Sequence, residues 1–458
     1  MYKKNLAVVL IIVLTMTLLA GCSDTKKTAA PTAAPAAEKV TLTVAGSWTD
    51  CRALDEVAKA FTAEYPNVTI KYEYLQDYYA SLEKRMSGDQ PVDMFFTTNI
   101  QEGNALAPYA LDLKSRADID LSNAFDGLIE NFTFREASGQ NDKLYAIPLG
   151  AEMRGLFVNT TLLKSLNIAV PTNQKTLLEA CETLKQNGYI PFHGNPGNFS
   201  QLLLYPWVCN LVANAENPKA LHDQINAHEK GIAQMFKEPF AFLYRLVESG
   251  YYDYKTAQTD LHLFTETTDD DFSRDFLNVK KENDVYVKAD DIGQVAFAPS
   301  SMSMLQTIQR VKEDYHSGIE YVFIPSPVGQ DGGYVYLSPA HGIAVNKTTA
   351  NVDWSAKFID FLYQPKHNET FAKAFNCIPN TKEAFAYVKT LYDVPENRIS
   401  QLGQVTFEFD FYNVIQKALT EISKGNNPKY MKDDGNGNLS LYPFEYYFAK
   451  LEESLEAQ

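Results

Sequence analysis

The sequence predicts an α/β protein built as two lobes. Three observations carry this. The 458 residues exceed what one compact core holds, so two or more domains are expected. Residues 40–97 read as strand, helix, strand, helix, strand, an order that implies parallel crossovers. Further on, Asn141 to Thr161 (NDKLYAIPLGAEMRGLFVNTT) sets a charged trio between two apolar runs. It reads as a strand at Leu144–Ile147, a bend with Pro148 and Gly150, the trio Glu152, Met153 and Arg154, and a second strand at Gly155–Val158. Burying charge costs several kcal/mol or more unless it is paired. Either Glu152 and Arg154 are solvated or paired with neighbours, or the loop crosses between two lobes and points polar groups into a cleft.

The chain opens on Lys3 and Lys4, an apolar run over residues 6–14 and a further stretch to Ala20. This is the pattern of a secretory signal. Leu19-Ala20-Gly21-Cys22 resembles a lipobox, which implies cleavage after residue 21 and two acyl chains on Cys22, a stable anchor without a spanning helix. Ser23 to Glu38 is low in complexity and reads as a flexible tether, reaching at most roughly 55 Å when extended.

In the body of the chain, Val40–Ala45 reads as the first strand, and Thr49 or Asp50 as the cap of the next helix. Leu54, Val57, Ala58 and Phe61 then repeat at helical spacing, and Tyr65-Pro66-Asn67 stops them. Val68, Ile70, Tyr72 and Tyr74 alternate as a strand. A helix from about Asp77 carries Tyr78, Leu82 and Met86 to Gly88, and Met94–Thr97 is the third strand. Thr176–Lys185 reads as helix, Tyr189 to Asn198 as a loop, and the residues through Tyr205 and Trp207 as an aromatic-rich helix. Residues 215–290 read as mostly polar helices with a solvated acid run at Asp269–Asp271. Tyr321–Pro325 reads as a short strand. Trp354, Phe358, Phe361 and Leu362 form an apolar stripe on a helix over Trp354–Tyr363, with Trp354 in the core.

The formal net charge is −16, and becomes −18 once Lys3 and Lys4 leave with residues 1–21. No clear basic patch is available for phosphates, which argues against a nucleic-acid partner. The enzyme motifs GxSxG, HExxH, P-loop and GxGxxG are absent, and the seven histidines lack ligand spacing. No catalytic role, cofactor or metal is assigned. Asp434, Asn436, Asn438 and Glu445 fall at calcium-loop spacing, but Leu439 stands where glycine is needed, and a tight turn explains the same residues. Cys51, Cys181, Cys209 and Cys377 are widely spaced. Cys181 shares an apolar helical stripe with Leu177 and Leu184 and reads as a buried thiol.

The stretch from Asn141 to Thr161 resembles the segment by which the sugar-binding proteins of ABC importers, family 1 of the extracellular solute-binding proteins in the maltodextrin-binding superfamily, pass from one lobe to the other. A family glutamate that contacts sugar lies seven residues before an Asn, and Glu152 stands seven before Asn159. Phe157 and Val158 replace the usual aromatic before that Asn. Lys39 to Phe96 is similar in order and spacing to the first hundred residues of family sugar binders, with Gly88 to Asp93 one residue longer than the family turn. Residues 293–302 resemble a family strand and turn without its tryptophan, and Ile378-Pro379-Asn380 matches a motif after the return helix. The resemblance implies a two-lobed periplasmic-binding-protein-like fold with an interlobe ligand cleft and a hinge. It implies a first lobe of residues 39–150 plus about 338–390, and a second of 151–337 plus about 391–458.

It implies, too, an extracytoplasmic monomer, held at the cell membrane through Cys22, that binds a mono- or oligosaccharide and docks on ABC permease subunits. Sugar recognition calls for flat rings and planar polar groups on loops at strand ends. The candidates are Ser47, Trp48, Thr49 and Asp50 after the first strand, Thr98 and Asn99 after the third, and Glu152 and Arg154 at the crossing. Trp207, Ser301, Met302, Tyr334 and Tyr336 complete the set. Two alternatives stay open: a non-sugar solute (peptide, polyamine or metal complex) on the same fold, or a surface lipoprotein acting on polysaccharide.

Overall fold

The longest strand among the described residues is the stretch expected to contain a loop. In the computed structural model, Ile147–Asn159 runs as one strand of 13 residues. The structure describes residues 38–48, 51–97, 107–125, 128–129, 132–134, 143–194, 196–252, 279–283, 285–288, 295–392, 394–401 and 411–456. The signal and tether, Cys22 and Asp269–Asp271 lie outside these. Lys39–Gln458 form one compact unit.

The opening α/β pattern is as expected. β1 (Val40–Gly46) lies parallel to both β2 (Val68–Tyr74) and β3 (Met94–Thr97). The helices between them, Arg52–Glu64 and Tyr78–Met86, bury Leu54, Val57, Ala58 and Phe61, and Tyr78, Leu82 and Met86. The first helix is capped by Cys51 rather than Thr49 or Asp50, and Cys51 makes no side-chain cap bond.

A short hairpin, β4 (Thr133–Phe134) with β5 (Lys143–Leu144), precedes the long strand β6 (Ile147–Asn159). Pro148 and Gly150 are accommodated inside β6 by partners far along the chain. The buried amides of Asn380 and Asn368 donate to the carbonyls of Pro148 and Leu149 at 2.8 and 2.7 Å. A Cβ on Gly150 would stand 2.7 Å from Cys377 Sγ, so only glycine allows that approach.

After β6 come the helices Gln174–Gln186, Pro196–Ala213 and Lys237–Glu248. The second begins inside the expected loop, at a proline suited to a first turn. The third is amphipathic and buries Phe240, Phe242, Leu243, Leu246 and Val247, so residues 215–290 are not uniformly polar. A hairpin, β7 (Val279–Glu282) with β8 (Val285–Lys288), also lies in that stretch. β9 (Phe297–Ser301) keeps Pro299 to Ser301 in a strand, where a turn was expected. Its antiparallel pairing with β6 extends the strand to Ser301. β10 (Tyr321–Ile324) follows, then β11 (Val335–Val345), which begins early enough to include Tyr336. Trp354 is half-buried and packs against the edge of the first core rather than inside it, its ring edge-on to Tyr65 at 5.7 Å. β12 (Ile378–Pro379) and β13 (Ile399–Gln401) complete the main sheet. β14 (Lys432–Asp433) and β15 (Leu439–Ser440) form a turn hairpin in which Asp434 accepts from the N–H groups of Asn436 and Asn438.

The sheet is organised on β6. Arg154 pairs with both Tyr336 and Ser301, and Leu156 with both Ile324 and Pro299. A strand has two edges, so β11 and then β10 occupy one while β12 and then β9 occupy the other. β3 pairs antiparallel with β11 and links the β1–β2 side to it. Successive residues of β6 thereby enter different cores. Ile147 and Leu149 pack with β1, β3 and the helix Val352–Tyr363. Leu156 and Val158 pack with the helices Pro196–Ala213, Phe411–Ser423 and Phe444–Glu456. Ala151, Met153 and Phe157 face a smaller core with Ile308, Val311 and Leu337.

Asp93 ties the first core together at 8% exposure. It accepts the Thr43 N–H and hydroxyl at 2.8 Å each, the Asn351 amide at 3.0 Å and the Thr349 hydroxyl. Burial alone would raise its pKa, but the bonds from Thr349, Thr43 and Asn351 outweigh it and hold the carboxyl below its ordinary value. A depressed carboxyl stabilises above the unfolded pKa, about 3.9, and loses that contribution as pH falls through the folded one. Asp93→Ala is therefore expected to cost about 1–3 kcal/mol in urea unfolding at neutral pH. The gap to wild type should narrow below about pH 4.

Candidate functional site

Where β6 leaves one core for the next, its two charged residues share a face. Glu152 and Arg154 are both half-buried, and between them Met153 turns into the smaller core. Glu152 Oε1 accepts the Ser301 hydroxyl at 2.6 Å, and the Ser303 hydroxyl also donates to it. The two serine oxygens lie 2.9 Å apart. Ser301 ends β9 and Ser303 caps the helix Met304–Asp314, so chain geometry delivers both hydroxyls to one carboxylate oxygen. Ser303 forms no side-chain cap bond; its hydroxyl goes to Glu152 instead.

Arg154 turns the other way. Its guanidinium lies over the ring of Tyr336, 5.6 Å from the centroid, and its Nε is buried without a partner. It also acts on Cys209 of the helix Pro196–Ala213, whose thiol burial pushes up to about 12 against the pull of Arg154.

On the first-core side stands an aromatic group. Trp48 meets Phe96, His341 and Phe375 edge-on, at 4.9, 4.5 and 5.0 Å between centroids. Its backbone is pinned by Tyr72, whose hydroxyl accepts from the Trp48 N–H at 3.1 Å and donates to its carbonyl at 2.8 Å. His341 sits where the β11–β6 register shifts, opposite Gly150. Its Nδ1 is buried and unpartnered. Burial pushes the imidazole down to about 4, although Glu152 pulls it upward. Burial first, and Glu152 second, raise the Cys377 thiol. Glu152 is thus the electrostatic centre of a cluster that draws on β6, β9, β11 and the residues before β12.

From the sequence-predicted set, the structure brings together Glu152 with Ser301 and Arg154 with Tyr336, and Trp48 joins them only by way of His341. Tyr336 is only 2% exposed and serves as the bed for Arg154. Trp207 is 4% exposed in the core around the helices and stacks on Tyr334 at 6.1 Å, so it offers no open ring face in this conformation. Tyr334 also lies under Arg398, at 5.5 Å. Met302 packs on the smaller core and donates its N–H to the Met153 carbonyl at 2.8 Å. Ser47 is exposed beside Trp48. Thr49, Asp50, Thr98 and Asn99 lie outside the described residues. Sequence reasoning missed Ser303 and His341. The spacing of Ser301 and Ser303 ahead of an apolar helical pattern is the one local signal for the first; nothing local marks the second.

Among the described residues no group of three or more His, Cys, Asp or Glu side chains is placed to hold a metal ion. An open groove of about 660 Å³ runs from Ala215 to Met235, but it shares no residue with the Glu152 cluster. We take the cluster, not the groove, as the candidate site, because it gathers two half-buried charged side chains, Glu152 and Arg154, on the strand that serves both main cores.

Residues 56–393 match the model of the bacterial extracellular solute-binding proteins. The chain belongs to that family. Its members are binding proteins that work outside the cytoplasm, and among the described residues no helix is long and apolar enough to cross a membrane. A curated relative, the multiple sugar-binding protein of Streptococcus mutans, is 28% identical over 196 residues. That match covers 42% of this chain and spans only 43% of the relative's length. Among solved structures, the chain is similar to the cyclic α-maltosyl-1,6-maltose binding protein of Arthrobacter globiformis, with a TM-score of 0.59 at 16% identity over 92% and 98% of the two chains. RafE of Streptococcus pneumoniae gives 0.56 at 15% identity over 92% and 98%. A family 1 extracellular solute-binding protein of Bifidobacterium longum subsp. infantis gives 0.55 at 16% identity over 92% and 100%. These likenesses show the fold, a two-lobed periplasmic-binding-protein-like architecture.

The buried imidazole makes the fold sensitive to acid. Between its unfolded value of 6.5 and about 4, the unfolded chain takes up a proton that the folded chain refuses. The stability that neutral His341 contributes is present above pH 6.5 and is lost as pH falls toward 4. Melting temperatures followed down this window should fall more steeply for wild type than for His341→Leu. Parallel slopes would mean that the ring is open to solvent.

Proposed function

We propose that the chain is the substrate-binding lipoprotein of an ABC importer, and that it binds a carbohydrate beside Glu152. The single observation behind this is the placement of Glu152 in the strand that serves both cores, with one oxygen held by two serines and an aromatic group alongside. A carboxylate held in place accepts sugar hydroxyls, and the partly exposed Trp48 ring offers a flat apolar surface for a pyranose face. The sugar-binding names of the curated relative and of the Arthrobacter structure support the same ligand class. Residues 39–150 with about 338–390 form the first lobe of this reading, and residues 151–337 with about 391–458 the second. Ligand contacts on both lobes favour a closed form, which docks on the permease. Cys22 carries the lipid, the protein acts as a monomer, and its task is binding rather than turnover.

The test is a thermal-shift panel followed by calorimetry, with mono- and oligosaccharides beside amino acids, peptides and polyamines. A sugar at one hundred times its Kd adds about 2.7 kcal/mol. Glu152→Ala is expected to weaken the sugar at least about tenfold, or ~1.4 kcal/mol, while the ligand-free protein keeps its fold. Trp48→Ala should weaken the same sugar. A shift with a peptide or amine and none with any sugar would overturn the ligand class.

A further inference from the structure

Two opposite charges stand two residues apart on one face of β6 and do not pair. At strand spacing their Cα atoms are roughly 7 Å apart, within reach of an ion pair for side chains of this length. Glu152 is instead turned to Ser301 and Ser303. Arg154 is left over the ring of Tyr336 with its Nε buried and unpartnered, and no carboxylate among the described residues lies within ion-pair distance of it. Arg398, a comparable cation over Tyr334, differs in this respect, because Asp331 stands 3.6 Å from it.

A half-buried guanidinium without an anion is costly unless something compensates it. Resting over a tyrosine ring, it gives up part of the rotamer freedom that binding would otherwise remove, and its planar donors match a carboxylate with two parallel bonds. A sugar hydroxyl can accept from it but leaves the charge uncompensated. In a chain of net charge −16 the surrounding field repels anions, so a local cation that is not neutralised is a specific feature rather than part of a general positive surface.

Resting on the carbohydrate reading above, we propose that the ligand is an acidic sugar, a uronic acid or an oligosaccharide bearing one, with its carboxylate on Arg154 and its hydroxyls on Glu152. The serine pair is the device that permits this. By holding Glu152 it prevents the internal ion pair that would otherwise consume both groups. Ser301 and Ser303 are positioning residues that act through Glu152. One cation fits one carboxylate, and a doubly charged phosphate would call for more positive charge than Arg154 supplies.

The test uses matched probes on the purified full chain: galacturonate and glucuronate, as monomers and as dimers, each beside its methyl ester and its neutral parent sugar. The acid should bind about tenfold or more tightly than its ester, and added salt should weaken the acid but not the ester. Arg154→Gln should bring acid and ester to equal affinity; circular dichroism and the melting temperature of the ligand-free variant check that it is folded. The double change Ser301→Ala with Ser303→Ala keeps both charges and frees Glu152 to pair with Arg154, so the preference for acid should drop. Ser303→Thr alone, which keeps a hydroxyl at that position, should retain the preference. Equal or tighter binding of the neutral sugars by wild type overturns the acidic ligand and leaves the carbohydrate reading standing. Binding of no sugar, acidic or neutral, removes the carbohydrate reading, and this inference falls with it.

Discussion

The backbone pairing of β6 along both edges is the constraint on which the rest depends. Its first residues belong to the core built by β1, β3 and the return helices, and its last to the core of the helices from 196 to 456. Because β11 gives way to β10 on one edge and β12 to β9 on the other, every turn of chain that leaves one core is registered against the other. A shift by one residue would exchange the two faces, sending Glu152 and Arg154 into the smaller core and Met153 out of it. The cost of burying those charges therefore fixes the register as firmly as the apolar contacts do.

How legible each part was depends on how local its causes are. β1, β2, β3 and their helices were readable because alternation and i, i+3, i+4 spacing lie within each segment, and nothing distant overrides them. β6 was misread as strand, loop, strand. Pro148 and Gly150 carry the usual signs of a break, and what cancels those signs comes from Asn368, Cys377 and Asn380, more than two hundred residues away. The same holds for Pro299 in β9, which is kept extended by its pairing with Leu156. The cap at Cys51 shows a smaller failure: a good capping residue nearby in sequence is not sufficient to set where a helix begins.

The site divides along the same line. A charged pair inside an apolar run is a local anomaly, and it drew attention to Glu152 and Arg154. The worth of an aromatic residue is not local. Trp48 and Trp207 look alike in sequence, yet one follows a strand, partly exposed among three rings, and the other is sealed against Tyr334. His341 has no sequence signature because its character comes from what surrounds it: two aromatic rings, a register shift and the carboxylate of Glu152.

These same residues explain why the region can hold charge without collapsing on itself. His341 is kept neutral by burial, which removes a competing cation beside Glu152. The serine hydroxyls then satisfy one oxygen of Glu152 without neutralising it. Arg154, separated from Glu152 by one pleat, rests on a ring that attracts cations but offers no counter-charge. Each group is held by partners that fix its direction and leave its charge uncancelled. That is the condition for a preorganised recognition surface, since a pair already neutralised internally must be broken before it can bind anything else. The fold meets this condition through β9, which supplies Ser301 on one edge of β6 while β11 supplies Tyr336 on the other. Electrostatic readiness at the crossing is therefore a consequence of sheet pairing, and the pairing that joins the cores also keeps the two charges apart.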